Sequence, residues 1–118
     1  MARPQIRNPI GRVILGIRSH FRWSRSAVGL AARLTRIETT GKVPTALRLL
    51  SRDDSAPLRE RLGLDLAELQ EVLDGSRTVE SAVEKAIDRL KAQGVRPRPR
   101  KSELDAAQAT ATGESNEA

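Results

Sequence analysis

Arginine is concentrated at the start of the chain, where no carboxylate offsets it. The first 37 of the 118 residues contain eight arginines and no acidic residue, and Glu38 is the first carboxylate. A segment of one charge sign repels itself and gains free energy from an anionic partner. Because a guanidinium group pairs with phosphate through two parallel hydrogen bonds, we expect nucleic acid as the partner first, and an anionic membrane surface second.

The rest of the chain is divided into segments of different charge. Residues 38–94 contain nine basic and eleven acidic side chains, residues 95–101 contain four basic ones, and residues 102–118 contain four acidic ones. The order of these segments therefore says more about function than the formal net charge of +6. We expect the acidic end to compete with nucleic acid for the arginines and to weaken nonspecific binding.

The residues that carry catalysis or bind metals are scarce. The chain has no cysteine, and its one histidine, His20, lacks the second histidine that a zinc site needs at helical spacing. Asp53 and Asp54 are typical of a turn, and Gly41-Lys42 lacks the rest of a phosphate-binding loop. We therefore predict no enzymatic activity, no cofactor and no metal.

Apolar residues recur at helical spacing along most of the chain. The clearest stripes are Ile10, Val13, Ile14, Ile17 and Phe21, and then Val79, Ala82, Val83, Ala86, Ile87 and Leu90. The pattern predicts an all-α fold, a compact bundle of about six short helices over residues 9–22, 24–39, 43–51, 56–62, 66–73 and 78–92. Asn8, Ser24 and Asp65 are suitable N-caps.

Composition divides the chain into three parts. We predict a flexible N-terminal arm over residues 1–8, a helical domain over residues 9–94 and a disordered tail over residues 95–118. The tail consists of a basic arm, residues 95–101, and an acidic segment, residues 102–118. The predicted core is small, so a homodimer that shares it is one expectation.

Residues 57–92 carry a first recognisable motif. Leu58, Leu62-Gly63-Leu64, Leu69, Val72 and Gly75-Ser76-Arg77-Thr78 resemble the helix-turn-helix of Cro/repressor-type regulators. The resemblance implies duplex DNA as partner, with Gln70 as a base reader, because an amide can pair with an adenine edge. The chain departs from the family at Arg59, where a small alanine is usual, and in the carboxylates Asp65, Glu68 and Glu71. A helical core unit without DNA contact is the alternative.

Residues 17–37 form a second segment that resembles a helix-turn-helix, and here the charge suits DNA. Ser24, Arg25 and Ser26 open a helix, where exposed amides, hydroxyls and a guanidinium could contact phosphates and base edges. Arg22 stands where a turn glycine is usual. The candidate contacts are Arg18, Arg22, Ser24, Arg25, Ser26, Arg33 and Arg36. A solvated cationic face, with Ser24 as an ordinary cap, is the alternative.

The basic arm alternates arginine with proline. Proline keeps such a segment extended, so Arg96, Arg98, Arg100 and Lys101 could add nonspecific affinity for nucleic acid. A plain linker is the alternative.

These features favour a small DNA-binding transcriptional regulator of the bacterial, phage or plasmid kind, located in the cytoplasm at the nucleoid. This function needs Arg25, Arg33 and Arg36 to be exposed together. The first alternative is a protein-binding adaptor or antiactivator that uses the acidic surface of residues 65–74, and it needs an apolar patch there, for example along Leu66, Leu69 and Leu73.

The second alternative places the N-terminal amphipathic helix on a membrane or in a mitochondrial presequence over residues 1–27. A membrane contact would require Ile10, Ile14, Ile17 and Phe21 to be exposed. No apolar run is long enough to span a bilayer, so we regard a membrane partner as the weaker expectation.

Overall fold

Residues 6–98, the part of the chain that the computed structural model describes, form seven α-helices and one 3₁₀ turn. The elements are α1 (Pro9–Phe21), α2 (Arg25–Val28), α3 (Ala31–Thr39), α4 (Val43–Ser51), the 3₁₀ turn (Asp53–Ser55), α5 (Ala56–Leu62), α6 (Leu66–Asp74) and α7 (Val79–Ala92). No strand occurs in this part, so the all-α prediction is confirmed for it. The predictions for Arg100, Lys101 and the acidic segment lie outside the described residues.

Helix α1 is the centre of the fold. Its apolar stripe, predicted from the sequence, is fully buried, and α3, α4, α5, α6 and α7 all pack against α1. Gly16 allows the close approach of α7, because a Cβ atom there would lie 2.7 Å from Cγ2 of Val83. The stripe is therefore not available to a membrane surface. Within residues 6–98, no helix combines the length and the apolar character needed to cross a membrane.

The continuous helix predicted over residues 24–39 is wrong, because the chain turns sharply at Gly29-Leu30. Both residues have positive φ angles, 99° and 47°, and they separate α2 from α3. Glycine adopts such angles at little cost, whereas periodicity alone treats Gly29 as one more helical position. The break allows α2 to bury Val28 and α3 to bury Leu34 and Ile37. Helix α3 then ends through an extended Thr40, without a left-handed Gly41.

Both ends of the described chain are hydrogen-bonded to the helices. The N–H of Arg7 donates to the carbonyl of Glu38 at 3.1 Å, and Nδ2 of Asn8 donates to the carbonyls of Ile37 and Thr40 at 2.8 and 2.9 Å. Asn8 also caps α1, since its Oδ1 accepts from the N–H of Gly11 at 2.8 Å. At the other end, the N–H of Arg98 donates to the carbonyl of Phe21 at 2.9 Å.

The turns of the two helix-turn-helix-like segments have the same geometry. Arg22 ends α1 at φ 57° and ψ 44°, and Gly63 ends α5 at φ 62° and ψ 32°. The next N–H in each turn, from Trp23 or Leu64, donates to the carbonyl five residues earlier at 2.9 Å. This left-handed C-cap satisfies carbonyls that the helix end would leave unpaired. An arginine thus occupies the conformation that the sequence resemblance assigns to glycine.

Candidate nucleic-acid interface

Two of the predicted contact residues, Arg18 and Arg25, are bound to the buried carboxylate of Glu38. Nη2 of each arginine lies close to Oε2 of Glu38, at 3.1 Å for Arg18 and 2.9 Å for Arg25. The Glu38 side chain has no exposed surface, and those of Arg18 and Arg25 are 12% and 25% exposed. Arg18 lies in α1, Arg25 in α2 and Glu38 in α3, so the two ion pairs connect these three helices. Because burying an unpaired charge is costly, the two guanidinium groups are needed to keep the Glu38 carboxylate in the interior.

The remaining candidates of this segment lie nearer the surface. Ser24 is exposed, and its Oγ caps α2 by accepting from the N–H of Ala27 at 3.2 Å. Ser26 is exposed, and Arg22 is exposed with its Nη1 donating to the carbonyl of Arg98 at 2.9 Å. Since the N–H of Arg98 also donates to the carbonyl of Phe21, the structure brings this residue of the basic arm to the end of α1. Arg96 is exposed.

The two aromatic rings are not available for stacking on bases. Phe21 and Trp23 are both buried, and their rings stack with centroids 4.7 Å apart. The guanidinium of Arg61 lies 4.2 Å from the centroid of the Trp23 ring. Any contact with bases must therefore come from polar, cationic or aliphatic side chains.

Arg33 and Arg36 meet at an open groove between α3, α4 and the 3₁₀ turn. The groove has a volume of about 580 Å³. Its apolar lining residues are Leu30, Ala31, Ala32 and Leu49, and its charged ones are Arg33, Arg36, Arg52 and Asp54. Three cations thus face one anion. Arg36 is exposed, and its side chain makes no hydrogen bond or ion pair with any residue between 6 and 98.

One side of the groove is held by an ion-pair cluster. Arg33 forms an ion pair with Asp54, and its Nη1 also donates to Oγ of Ser55 at 3.1 Å. The hydrogen bond with Arg33 lowers the pKa of Asp54 and raises the pKa of Arg33. Nε of Arg52 lies 3.5 Å from Oδ1 of Asp54. The carboxylate orients Arg33 but offsets only one of the three positive charges.

Sequence reasoning did not identify Arg52 as part of this site. Arg52 follows the last residue of α4, and it reaches the groove because α4 packs against α3. Its spacing from Arg33 and Arg36 in the sequence carries no signal of this contact. A cation next to the acidic Asp53-Asp54 pair suggests only a local turn.

The acidic residues of α6 are engaged within the second helix-turn-helix-like segment. Nη1 and Nη2 of Arg89 donate to the two carboxylate oxygens of Glu68 at 2.8 and 2.6 Å. These hydrogen bonds lower the pKa of Glu68. Nε of Arg77 donates to Glu71 at 2.6 Å, and Asp65 caps α6. Gln70, the predicted base reader, is exposed and donates to Oδ1 of Asp74 at 3.0 Å.

Arg59 has a structural contact that accounts for its departure from the family pattern. Its Nη1 donates to the carbonyl of Leu50 and, at 2.8 Å, to the carbonyl of Arg52. These carbonyls belong to the end of α4, where helix carbonyls lack partners. The long side chain therefore ties α5 to α4, which a small alanine could not do.

No group of three or more histidine, cysteine, aspartate or glutamate side chains within residues 6–98 is placed to hold a metal ion. Comparison with known proteins adds no relative, because no protein-family model, curated protein or solved structure matches the chain significantly. The resemblance to Cro/repressor-type regulators stays a prediction.

Proposed function

We propose that this chain is a small nucleic-acid-binding protein, and that its class is the DNA-binding regulator predicted from the sequence. The observation that carries the proposal is the groove where Arg33, Arg36 and Arg52 face a single carboxylate. Guanidinium groups held together on one surface, with that of Arg36 unpaired among residues 6–98, favour a polyanion over a neutral ligand.

The arginines proposed here to contact the nucleic acid differ from those predicted from the sequence. Arg18 and Arg25 serve the fold, because their hydrogen bonds are made to the buried Glu38. Arg36 and Arg52 take over the phosphate contacts, with Arg33 oriented by Asp54. Arg22 and Arg98 lie together at the end of α1, where they would add nonspecific affinity, as would the exposed Arg96.

The charge of α7 gives the binding an orientation. Glu80, Glu84 and Asp88 are exposed and follow each other at four-residue spacing, so they form an acidic stripe along that helix. None of them lines the groove. Repulsion between this stripe and phosphate would disfavour binding through the exposed face of α7.

Fluorescence anisotropy with a random-sequence DNA duplex tests the proposal at about 50 and 200 mM salt, where counterion release makes affinity fall steeply. Charge reversal in Arg36→Glu/Arg52→Glu is expected to weaken binding at least tenfold and to reduce the salt slope by about two, roughly one per lost phosphate contact. Arg33 is left unchanged because, besides its ion pair with Asp54, it donates to the hydroxyl of the buried Ser55.

The matched control is Lys85→Glu/Lys91→Glu, which makes the same change of charge at two exposed positions of α7 outside the groove. It should retain most of the affinity. Equal losses in the two variants would mean that net charge alone drives binding. Absence of binding by the folded wild type at low salt, both to this duplex and to its separated strands, would refute the proposal.

A second candidate function is protein binding, favoured by an apolar groove between α4 and α6. The groove has a volume of about 500 Å³ and is lined by Val43, Pro44, Leu47, Arg48, Ser51, Gln70 and Leu73. Of the patch predicted for an adaptor, Leu69 is buried, and Leu73 lines this groove. A second copy of the chain is the simplest occupant. Light scattering of the wild type and of Leu73→Lys would detect a dimer that the substitution dissociates.

A further inference from the structure

We propose that the arginine groove binds one unpaired nucleotide, with the side chain of Leu30 against the face of its base. The preferred ligand is then a single strand or an extrahelical base, and not a fully paired duplex. This inference rests on the proposed nucleic-acid binding and specifies its ligand.

Leu30 is unusual both in its backbone conformation and as an N-cap residue. Its backbone is left-handed, at φ 47° and ψ 48°, a conformation that is rare for a bulky side chain. It also occupies the N-cap of α3 without providing a side-chain hydrogen bond, where serine, aspartate or asparagine would do so. Strained backbone of this kind concentrates at functional sites.

The folded chain gains little burial from this leucine. The residue is 48% exposed, the most of any large apolar residue within residues 6–98. The sharp turn before α3 needs no leucine, since glycine would adopt the same angles with less strain. A residue that costs stability and remains exposed at the edge of a cationic groove is best explained by a contact with a ligand.

The composition of the groove matches a nucleotide. Its lining combines aliphatic side chains with three guanidinium groups, so one ligand would have to present both an apolar face and a phosphate. The volume of about 580 Å³ lies within the range of small-ligand sites. Base faces provide the apolar surface, and arginine stacks on them as well as pairing with phosphate.

Because the groove is concave, it cannot reach the faces of bases that remain stacked in a duplex. A duplex presents only base edges in its grooves, and proteins read these with protruding helices or strands. A recess such as this one reaches a base face only after the base has left the stack. An anionic membrane shares the combination of charge and apolar surface, but a single leucine at the edge of a groove offers far less apolar surface to acyl chains than the face of an amphipathic helix does.

The test compares three probes at one salt concentration. They are a single strand of about 12 nucleotides, within the site size of one small domain, its fully paired duplex, and vesicles containing phosphatidylserine. For the wild type we expect about tenfold tighter binding to the strand than to the duplex, of the order that one base contact provides.

Leu30→Gly removes the proposed base contact and relieves the left-handed strain. Its affinity for the strand should fall about fivefold, its affinity for the duplex should not change, and its melting temperature should rise. The control is Leu15→Ala, because Leu15 is also an exposed leucine, at 40%, and lies outside the groove. Alanine is used there in place of glycine because Leu15 is inside α1, where glycine would destabilise the helix. Leu15→Ala should leave all three affinities unchanged.

The outcomes separate this inference from the proposed function. Equal or tighter binding to the duplex, or an unchanged strand affinity in Leu30→Gly, would overturn the inference and leave nucleic-acid binding in place. If neither nucleic acid binds, both proposals fail. Vesicle binding that depends on Leu30, without strand binding, would assign the groove to a membrane surface and overturn the inference as well.

Discussion

The two helix-turn-helix-like regions, α1–α3 and α5–α7, share a turn geometry but use their charged residues differently. In α5–α7, two of the carboxylates of α6, Glu68 and Glu71, are paired with Arg89 and Arg77 from the same region. In α1–α3, one carboxylate, Glu38, occurs with six arginines, and it engages two of them. The second region therefore pairs two of its carboxylates with its own arginines, whereas arginine remains in large excess in the first.

This difference shows why a count of arginines does not locate an interface. Arg25 and Arg36 look equivalent in the sequence, yet the Arg25 guanidinium donates to Glu38, while the Arg36 guanidinium has no partner within residues 6–98. The distinction depends on contacts between residues 13 or more positions apart. Pairing across the fold decides which charges remain for a ligand.

The largest expected effect comes from Glu38→Gln, which removes the buried carboxylate that engages both Arg18 and Arg25. Two guanidinium groups would be left partly buried without their counter-ion, and breaking a buried pair in this way costs about 3–5 kcal/mol. Urea unfolding, followed by the helical circular dichroism signal, measures the loss. The matched control is Glu60→Gln, an exposed position, for which we expect a change within about 0.5 kcal/mol. Similar values for the two variants would show that Glu38 does not hold the helices together.

The turn of the second region gives the next largest effect. At Gly63 a Cβ atom would lie 2.9 Å from Cγ of Leu90 and 3.0 Å from the carbonyl oxygen of Ala86. Gly63→Ala therefore combines left-handed strain with a clash against α7, and we expect a loss of about 2–4 kcal/mol in unfolding free energy. Thermal and urea unfolding measure it.

Gly75 provides a control with the strain but without the clash. Its φ is 81°, and an added Cβ would meet no atom within 4 Å. Gly75→Ala should thus lose only about 1 kcal/mol. If both alanine variants lost the same amount, contact between the α5–α6 turn and α7 would not be tight.

The ion pair between Glu68 and Arg89 predicts a pH dependence of stability in the second region. Because the folded-state pKa of Glu68 is lowered, its stabilisation is complete above the pKa of the unfolded state and is lost as pH falls through the folded pKa. Glu68→Gln should be less stable than the wild type by about 1 kcal/mol near pH 7, and the difference should vanish between about pH 5 and pH 2. Urea unfolding across this range tests it, and a difference that persisted in strong acid would rule out ionic stabilisation.

The sequence predicted most of the helices because their signals are local. The apolar stripe of α1, the cap at Asp65 and the stop at Gly75 each depend on neighbours within a few turns. The break at Gly29-Leu30 escaped prediction because its benefit, the burial of Leu34 and Ile37, arises only once α3 packs on α1 and α4. The groove was not predicted either, because Arg52 reaches it only through the packing of α4 against α3. Of the predicted contacts, Arg33 and Arg36 line the groove, and Arg18 and Arg25 lie at Glu38.

The smallest expected effect concerns Arg22, the residue that distinguishes the turn after α1 from the turn after α5. Arg22 adopts the left-handed angles that glycine adopts at Gly63, at a cost of about 1 kcal/mol for a residue with a Cβ atom. Arg22→Gly removes this cost but also the exposed hydrogen bond from Nη1 to the carbonyl of Arg98. We therefore expect a net gain of about 0.5 kcal/mol, measured as a small rise in the urea midpoint. The same substitution should weaken nucleic-acid binding slightly, because it removes one cation near the basic arm. A loss of stability instead would mean that the contact between Arg22 and Arg98 outweighs the backbone strain, so that the side chain is part of the fold of α1–α3 as Arg18 and Arg25 are.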